Sequence, residues 1–308
     1  MAAQLNRRDE FESESASIID FMSGFTVETT PASAAKIKDF RAILRPGTTI
    51  YITHLPGSDY RDSVDTAKRL RNEGFEPAIH IAARSLKSES EFEDYLARAS
   101  SEAGVTKVLA LAGGVPTAIG PYEHSMQLLD TGLFDHYGVN SIAVAGHPEG
   151  NPDISEEGVL KALIWKNSFA ERTSASMYLV TQFCFEAEPI IAWDRLINSE
   201  GNRLPIRIGV PGLAKLPTLI NYAVSCGVGN SIDFLKRRAK DLTRMLRPQA
   251  PDRLVRELSA YVAHDPNCGI IGAHMYPLGG LKASAAWTYG VIDGSFELNS
   301  DSGFDVSV

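Results

Sequence analysis

Short apolar runs recur along the chain, and most end on a polar residue or glycine that a packed core would not choose. In order, Gly24 to Val27 closes on Glu28, Thr49 to Ile52 on Thr53, Pro77 to Ile79 on His80, and Lys107 to Leu111 leads to Gly113 and Gly114. Ser141 to Ala145 then leads to His147, Tyr178 to Thr181 to Gln182, Arg207 to Val210 to Pro211, and Gly269 to Ala273 to His274. The stretches between them are long enough for helices. Strand–helix alternation repeated eight times predicts an α/β fold, a single (β/α)8 TIM barrel. Functional residues of such barrels gather at the carboxyl ends of the strands, so the run endings are also the first site candidates.

Helix signals fill the gaps. Val64, Ala67 and Leu70 recur at helical spacing within 59–73, with Gly74 as a stop. Ser88 with Glu91 predicts a capping box for a helix reaching about Ala103. Residues 121–136, 155–172 and 188–199 read as helices, as does the stretch from Pro31 to Leu44 before Pro46-Gly47. Residues 212–262 exceed what one barrel helix needs and predict extra helices before the last strand, at 215–226, about 231–246 and about 251–263. The bases Lys236, Arg237, Arg238 and Lys240 in the second of these read as a solvated face. The expected organisation is an N-terminal arm or helix (1–20), the barrel (21–292) and a C-terminal tail (293–308).

Charge narrows the partners. The chain has 308 residues, with 30 basic against 38 acidic side chains, a net charge of −8. That argues against nucleic acid or an anionic membrane as the main partner. Cys184, Cys226 and Cys268 show no CxxC spacing, and no apolar run approaches the ~18 residues of a membrane span, so a reduced cytoplasmic setting is expected. Neither a G-x-G-x-x-G turn nor a Walker-type loop is present, and G-x-S-x-G and H-E-x-x-H are absent too. His54, His80, His147 and His274 could share one barrel rim, but they lack close spacing and accompanying carboxylates, so no metal is expected.

Glu28 is the sharpest candidate. A carboxylate ending an apolar strand reads equally as a structural ion pair or as a general acid whose pKa burial has raised. His80, between Ile79 and Ile81, reads first as a satisfied core histidine. Gln182 either orients a flat heterocycle or caps its strand. The glycines of Ala112-Gly113-Gly114 and of the loop from Gly146 to Pro152 allow backbone to approach a ligand. Lys166 reads first as a surface lysine, with reach to a phosphate as the alternative.

Together these stretches resemble the methylenetetrahydrofolate reductase family over about residues 24–290. Phe25-Thr26-Val27-Glu28 with Pro31 is similar to its opening strand, and Ile79-His80 to its third. Ala112-Gly113-Gly114 and His147-Pro148-Glu149 stand at two of its loops. Thr181-Gln182-Phe183-Cys184-Phe185-Glu186 resembles its most diagnostic stretch, with Val210-Pro211-Gly212-Leu213 and His274-Met275-Tyr276-Pro277-Leu278 after it. The resemblance implies a flavoprotein that uses FAD and NAD(P)H to reduce 5,10-methylenetetrahydrofolate to 5-methyltetrahydrofolate, as a homo-oligomer. It implies Glu28 as proton donor. It also implies cofactor contacts from Thr53, His80, Ala112, Gly113, Gly114, His147, Glu149 and Lys166, and folate contacts from Gln182, Leu213, Tyr276 and Lys282.

Departures accompany the resemblance. Gly114 and Ala112 replace an aspartate and an arginine of the family, His147 a tyrosine and Gly280 an arginine, for which Lys282 is a substitute. Loss of one preorganised charge costs about 2–4 kcal/mol of transition-state stabilisation. A non-catalytic or regulatory flavin- or folate-binding barrel, or a flavin-free folate-dependent methyl or methylene transferase, therefore stays open.

Overall fold

Eight parallel strands pair in sequence order and close on themselves, with Thr26 of the first strand opposite His274 of the last. They are β1 (Thr26–Thr29), β2 (Thr49–Ile52), β3 (Glu76–Ala82), β4 (Lys107–Leu111), β5 (Ser141–Gly146), β6 (Ser176–Phe183), β7 (Ile206–Pro211) and β8 (Ile270–Tyr276). All eight lie where the apolar runs predict them, and the fold is the expected (β/α)8 barrel. The structure, a computed structural model, describes residues 2–226, 235 and 247–307, with side chains from residue 12 onward. Among the described residues no helix is long and apolar enough to cross a membrane.

Alternation along each strand divides the apolar residues between two cores. Ile50, Ile52, Ile79, Ile81, Val108, Ile142, Val144, Ile208 and Val210 face outward and pack beneath the helices. These are the β-branched residues that suit a pleated, covered surface. The barrel interior is smaller and separate, built on Tyr51, Ala78, Leu109, Ala143 and Val180. The hydroxyls of Tyr51 and Tyr178 hydrogen-bond across it.

The helices at Tyr60–Asn72, Glu89–Ala103, Glu156–Ala170 and Ala187–Ser199 follow the sequence signals. Ser88 accepts the Glu91 N–H at 3.1 Å, while the Glu91 carboxylate takes the Lys87 N–H at 2.5 Å. Two helical expectations fail. From Pro31 to Leu44 there is one helical turn, Pro31–Ala34, and one 3₁₀ turn, Phe40–Ala42. Here the Arg69 guanidinium takes the carbonyls of Ala34 at 2.9 Å and Ile37 at 2.6 Å, acceptors that a continuing helix would have used. Residues 121–136 hold two short helices, Ser125–Asp130 and Leu133–His136, parted at Thr131-Gly132, where Gly132 has φ 73°.

Between β7 and β8, Leu216–Cys226 and Asp252–His264 are helical, and Ala214–Lys215 pairs with Pro248–Gln249. The expected helix at about 231–246, with its basic cluster, lies outside the described residues apart from Leu235. Leu216, Leu219, Ala223 and Leu235 form a small third core with Phe183, against which Tyr276 rests. This sets the Leu216–Cys226 helix over the carboxyl end of the barrel, beside β6 and β8.

At the opposite end, helix Ala2–Met22 buries Ile18, Phe21 and Met22, and Glu14 meets Arg256 at 2.6 Å. The C-terminal residues form a hairpin, Phe296–Leu298 with Phe304–Val306, and buried Phe304 stacks on Trp287.

Candidate functional site

Glu28 sits near the end of β1 with its side chain only 12% exposed. The adjacent strands aim three polar groups at it. Thr53, after β2, donates to Glu28 Oε2 at 3.0 Å. His274 Nε2, from β8, lies 3.2 Å from Oε1, and His80 Nε2, from β3, lies 3.4 Å from the same oxygen. Tyr51 packs edge-on to both imidazoles. Burial alone would raise the Glu28 pKa. Hydrogen bonding from His274 and the approach of His80 to the same oxygen outweigh it and hold the carboxyl well below the usual carboxylate range. The raised pKa expected from strand-end burial is therefore wrong for this site, because burial brings two imidazoles with it.

His274 has no exposed surface, and burial lowers its pKa, leaving a neutral ring. A neutral imidazole has one N–H. Donation from Nε2 to the ionised Glu28 leaves Nδ1 to accept from the Thr26 hydroxyl, 2.6 Å away. His80, read from sequence as a satisfied core residue, is instead buried with Nε2 lacking a directed hydrogen bond. His54 Nδ1, after β2, is likewise buried without a partner.

A second polar cluster lies at the end of β5. Lys166 is buried, at 7% exposed, contrary to the surface placement read from sequence. Its helix turns Leu163, Lys166 and Phe169 inward, and the Lys166 ammonium donates to the Ala145 carbonyl at 3.3 Å. Burial pulls its pKa down to about 8, so it remains a cation near neutral pH. His147 beside it is pushed down to about 4, by burial and then by the Lys166 charge, and its Nδ1 has no partner. Among the described residues this cation has no carboxylate partner and the ring nitrogen beside it no hydrogen bond, a pairing that suits an anionic group such as a phosphate.

The other sequence candidates line the same end of the barrel. Gly113 takes φ 98°, and a Cβ there would stand 3.1 Å from the Ala82 Cβ, so the β4 loop lies tight on β3. Ala112 accepts the Arg84 N–H at 2.8 Å, and Gly114 lies beside Pro56. The Glu149 carboxylate is tied to the Cys184 thiol; burial and then that negative charge push the thiol pKa up. A bulge in β6 between Val180 and Phe183 re-aims Gln182, whose amide reaches the Cys226 carbonyl at 3.4 Å. The Tyr276 hydroxyl donates to the Thr181 carbonyl at 2.9 Å, with its ring 4.9 Å from that of His274. Leu213 is partly buried against the main core, while Lys282 is exposed on the first turn of the Leu281–Ile292 helix.

Site membership of Tyr51 was missed from sequence; Thr26 entered only as a motif residue, His54 only as an unfavoured metal ligand, and His274 as a strand ending, an unfavoured metal ligand and a motif residue. Parity along the strand was the available signal, since His274 and Tyr276 must share a face of β8. Among the described residues no group of three or more His, Cys, Asp or Glu could hold a metal ion.

Against known proteins, residues 20–229 match the model of the family described as methylenetetrahydrofolate reductase. Among solved structures, an uncharacterized protein from Clostridium thermocellum that binds two copies of 5-methyl-5,6,7,8-tetrahydrofolic acid superposes with a TM-score of 0.52 at 11% identity. That match covers 86% of this chain and 94% of the other, and at this identity it shows a shared fold. A GH53 catalytic domain from Ignisphaera aggregans gives a TM-score of 0.39 at 12% identity, over 86% of this chain and 89% of that one, too remote to bear on function.

Proposed function

Since the chain belongs to the methylenetetrahydrofolate reductase family, a folate-linked reductase is its coarse function, and we propose the finer reading that it reduces 5,10-methylenetetrahydrofolate to 5-methyltetrahydrofolate with FAD and NAD(P)H. The observation that carries this reading is the buried Glu28 carboxylate, held by Thr53, His80 and His274 at a barrel mouth. The product of that reaction is the ligand of the Clostridium thermocellum barrel, which accords with it.

Lys166 and His147 fit the phosphates of FAD, since both are buried, the first as a cation held only by a carbonyl and the second with Nδ1 unpartnered among the described residues. Thr53, His80, Glu149 and the backbone of Ala112 to Gly114 would border the cofactor, and Gln182, Leu213, Tyr276 and Lys282 the folate. The chemistry the flavin supplies when bound is passage of a hydride from NAD(P)H to the folate carbon. Opening of the folate's five-membered ring requires protonation of the departing nitrogen, which is the work of Glu28. In the uncovered site Glu28 is ionised and the adjacent N–H lies on His274. A heterocycle covering the mouth removes the remaining water from Glu28, which pushes its pKa up and favours the protonated acid. The Leu216–Cys226 helix, packed against Phe183 and Tyr276, stands beside the mouth, and the Gln182 amide reaches its last carbonyl.

The deciding experiment is a visible absorption spectrum, followed by NADH and NADPH oxidation with methylenetetrahydrofolate. Yellow protein with folate-dependent oxidation, lost by ~10²–10⁴-fold in Glu28→Gln, is the expected result. Yellow protein without turnover would instead make it a non-catalytic binding barrel, and colourless protein with folate activity a flavin-free transferase.

A further inference from the structure

We infer that His274, oriented by Thr26, is a positioning residue that keeps Glu28 ionised until substrate arrives, so that the strand-eight imidazole governs where the site proton rests. The inference rests on the reduction proposed above for its catalytic consequence, but its geometry stands apart from it. His274 lies 3.2 Å from Glu28 Oε1 through one nitrogen and 2.6 Å from the Thr26 hydroxyl through the other. The ring is fully buried and held edge-on by Tyr51 at 5.0 Å and Tyr276 at 4.9 Å, so it cannot readily turn away.

Two proton arrangements satisfy these contacts. In one, Thr26 donates to Nδ1 and Nε2–H donates to the Glu28 anion. In the other, Nδ1–H donates to Thr26, and a protonated Glu28 donates to Nε2. The second arrangement holds one proton more than the first, taken up from solvent or substrate, and on that uptake the donor and acceptor exchange at both contacts without either being broken. Among the described residues the Thr26 hydroxyl hydrogen-bonds this ring alone, so it is free to serve Nδ1 as donor or acceptor. The second imidazole, His80, approaches the same oxygen at 3.4 Å but lacks a directed hydrogen bond, so it gives the carboxylate no fixed donor line. The remaining polar groups facing the pair are Thr53 and Tyr51 of the β2 segment, Tyr276 of β8, Arg207 of β7 and Cys226 above. None of these offers Glu28 Oε1 a donor along a fixed line as His274 does.

The test reads Glu28 directly, by infrared difference titration of the carboxyl C=O stretch, assigned by its loss in Glu28→Gln. In His274→Phe, which keeps a ring and removes both nitrogens, the Glu28 midpoint should rise by about 1 pH unit or more. His274→Gln, which keeps an N–H donor, should restore most of the shift, and Thr26→Val should raise the midpoint by a smaller amount. The pH dependence of kcat for folate reduction should move with the infrared midpoint while KM changes little. An unmoved midpoint in folded His274→Phe overturns the inference; should that variant not fold, an unmoved midpoint in Thr26→Val does so. The infrared shift without any folate turnover in the native protein would sink the reductase reading and leave the positioning role standing.

Discussion

Lys166 shows how one residue can hold strain that only a ligand relieves. Its ammonium is buried with a single carbonyl acceptor and a pKa pulled down to about 8. The sign follows from proton counting: between about pH 8 and the ordinary lysine value near 10.4, the unfolded chain keeps a proton that the folded one has released. Stability from this group therefore rises with pH across that window, and the penalty is fully present below it. Replacement by methionine should raise the unfolding free energy near pH 7 by on the order of 2–3 kcal/mol. It should also flatten the alkaline rise relative to the native protein, both measured by denaturant unfolding at several pH values. The same variant should bind FAD at least ~10-fold more weakly, by loss of a charge-assisted contact to phosphate. Glu28 stabilises where Lys166 penalises, although both make stability rise with pH. Its depressed pKa contributes stability above the ordinary glutamate value, which is lost as pH falls toward the folded value.

At the scale of elements, the join between β6 and β7 sets the position of Gln182. Gly209 donates to the Thr181 hydroxyl at 2.8 Å in place of a regular ladder bond. A Cβ at Gly209 would stand 2.5 Å from the Gln182 carbonyl oxygen, so the two backbones meet where only glycine fits. Gly209→Ala should cost about 1–3 kcal/mol of stability and raise the KM for the folate more than it lowers kcat, checked by thermal unfolding and steady-state kinetics. This scale also shows what the sequence conveys well. Strands and the capped helix at Glu89–Ala103 were legible, because alternation and the Ser88 cap act within a few residues of themselves. The break in the helix expected from Pro31 to Leu44 was not legible, because Arg69, 35 residues beyond Ala34, takes its carbonyls.

Across the whole molecule, the barrel separates a foot that holds the fold from a mouth that carries chemistry. Phe21, Met22 and Ile18 pack at the foot, where the Arg207 guanidinium donates to the Gly24 carbonyl at 3.0 Å. Phe21→Ala should cost about 3–5 kcal/mol in unfolding experiments yet leave ligand affinity of the folded protein unchanged. The order of the strands, the two-faced pattern that splits the core and the residues ending each strand were set by the sequence itself, since each depends on near neighbours along the chain. The ionisation of Glu28, the burial of Lys166 and the meeting of Thr26, Glu28 and His274 were decided only by tertiary structure. Barrel closure brings β1 beside β8 across 246 residues, and a side chain's pKa answers to whatever stands within a few ångströms of it in space.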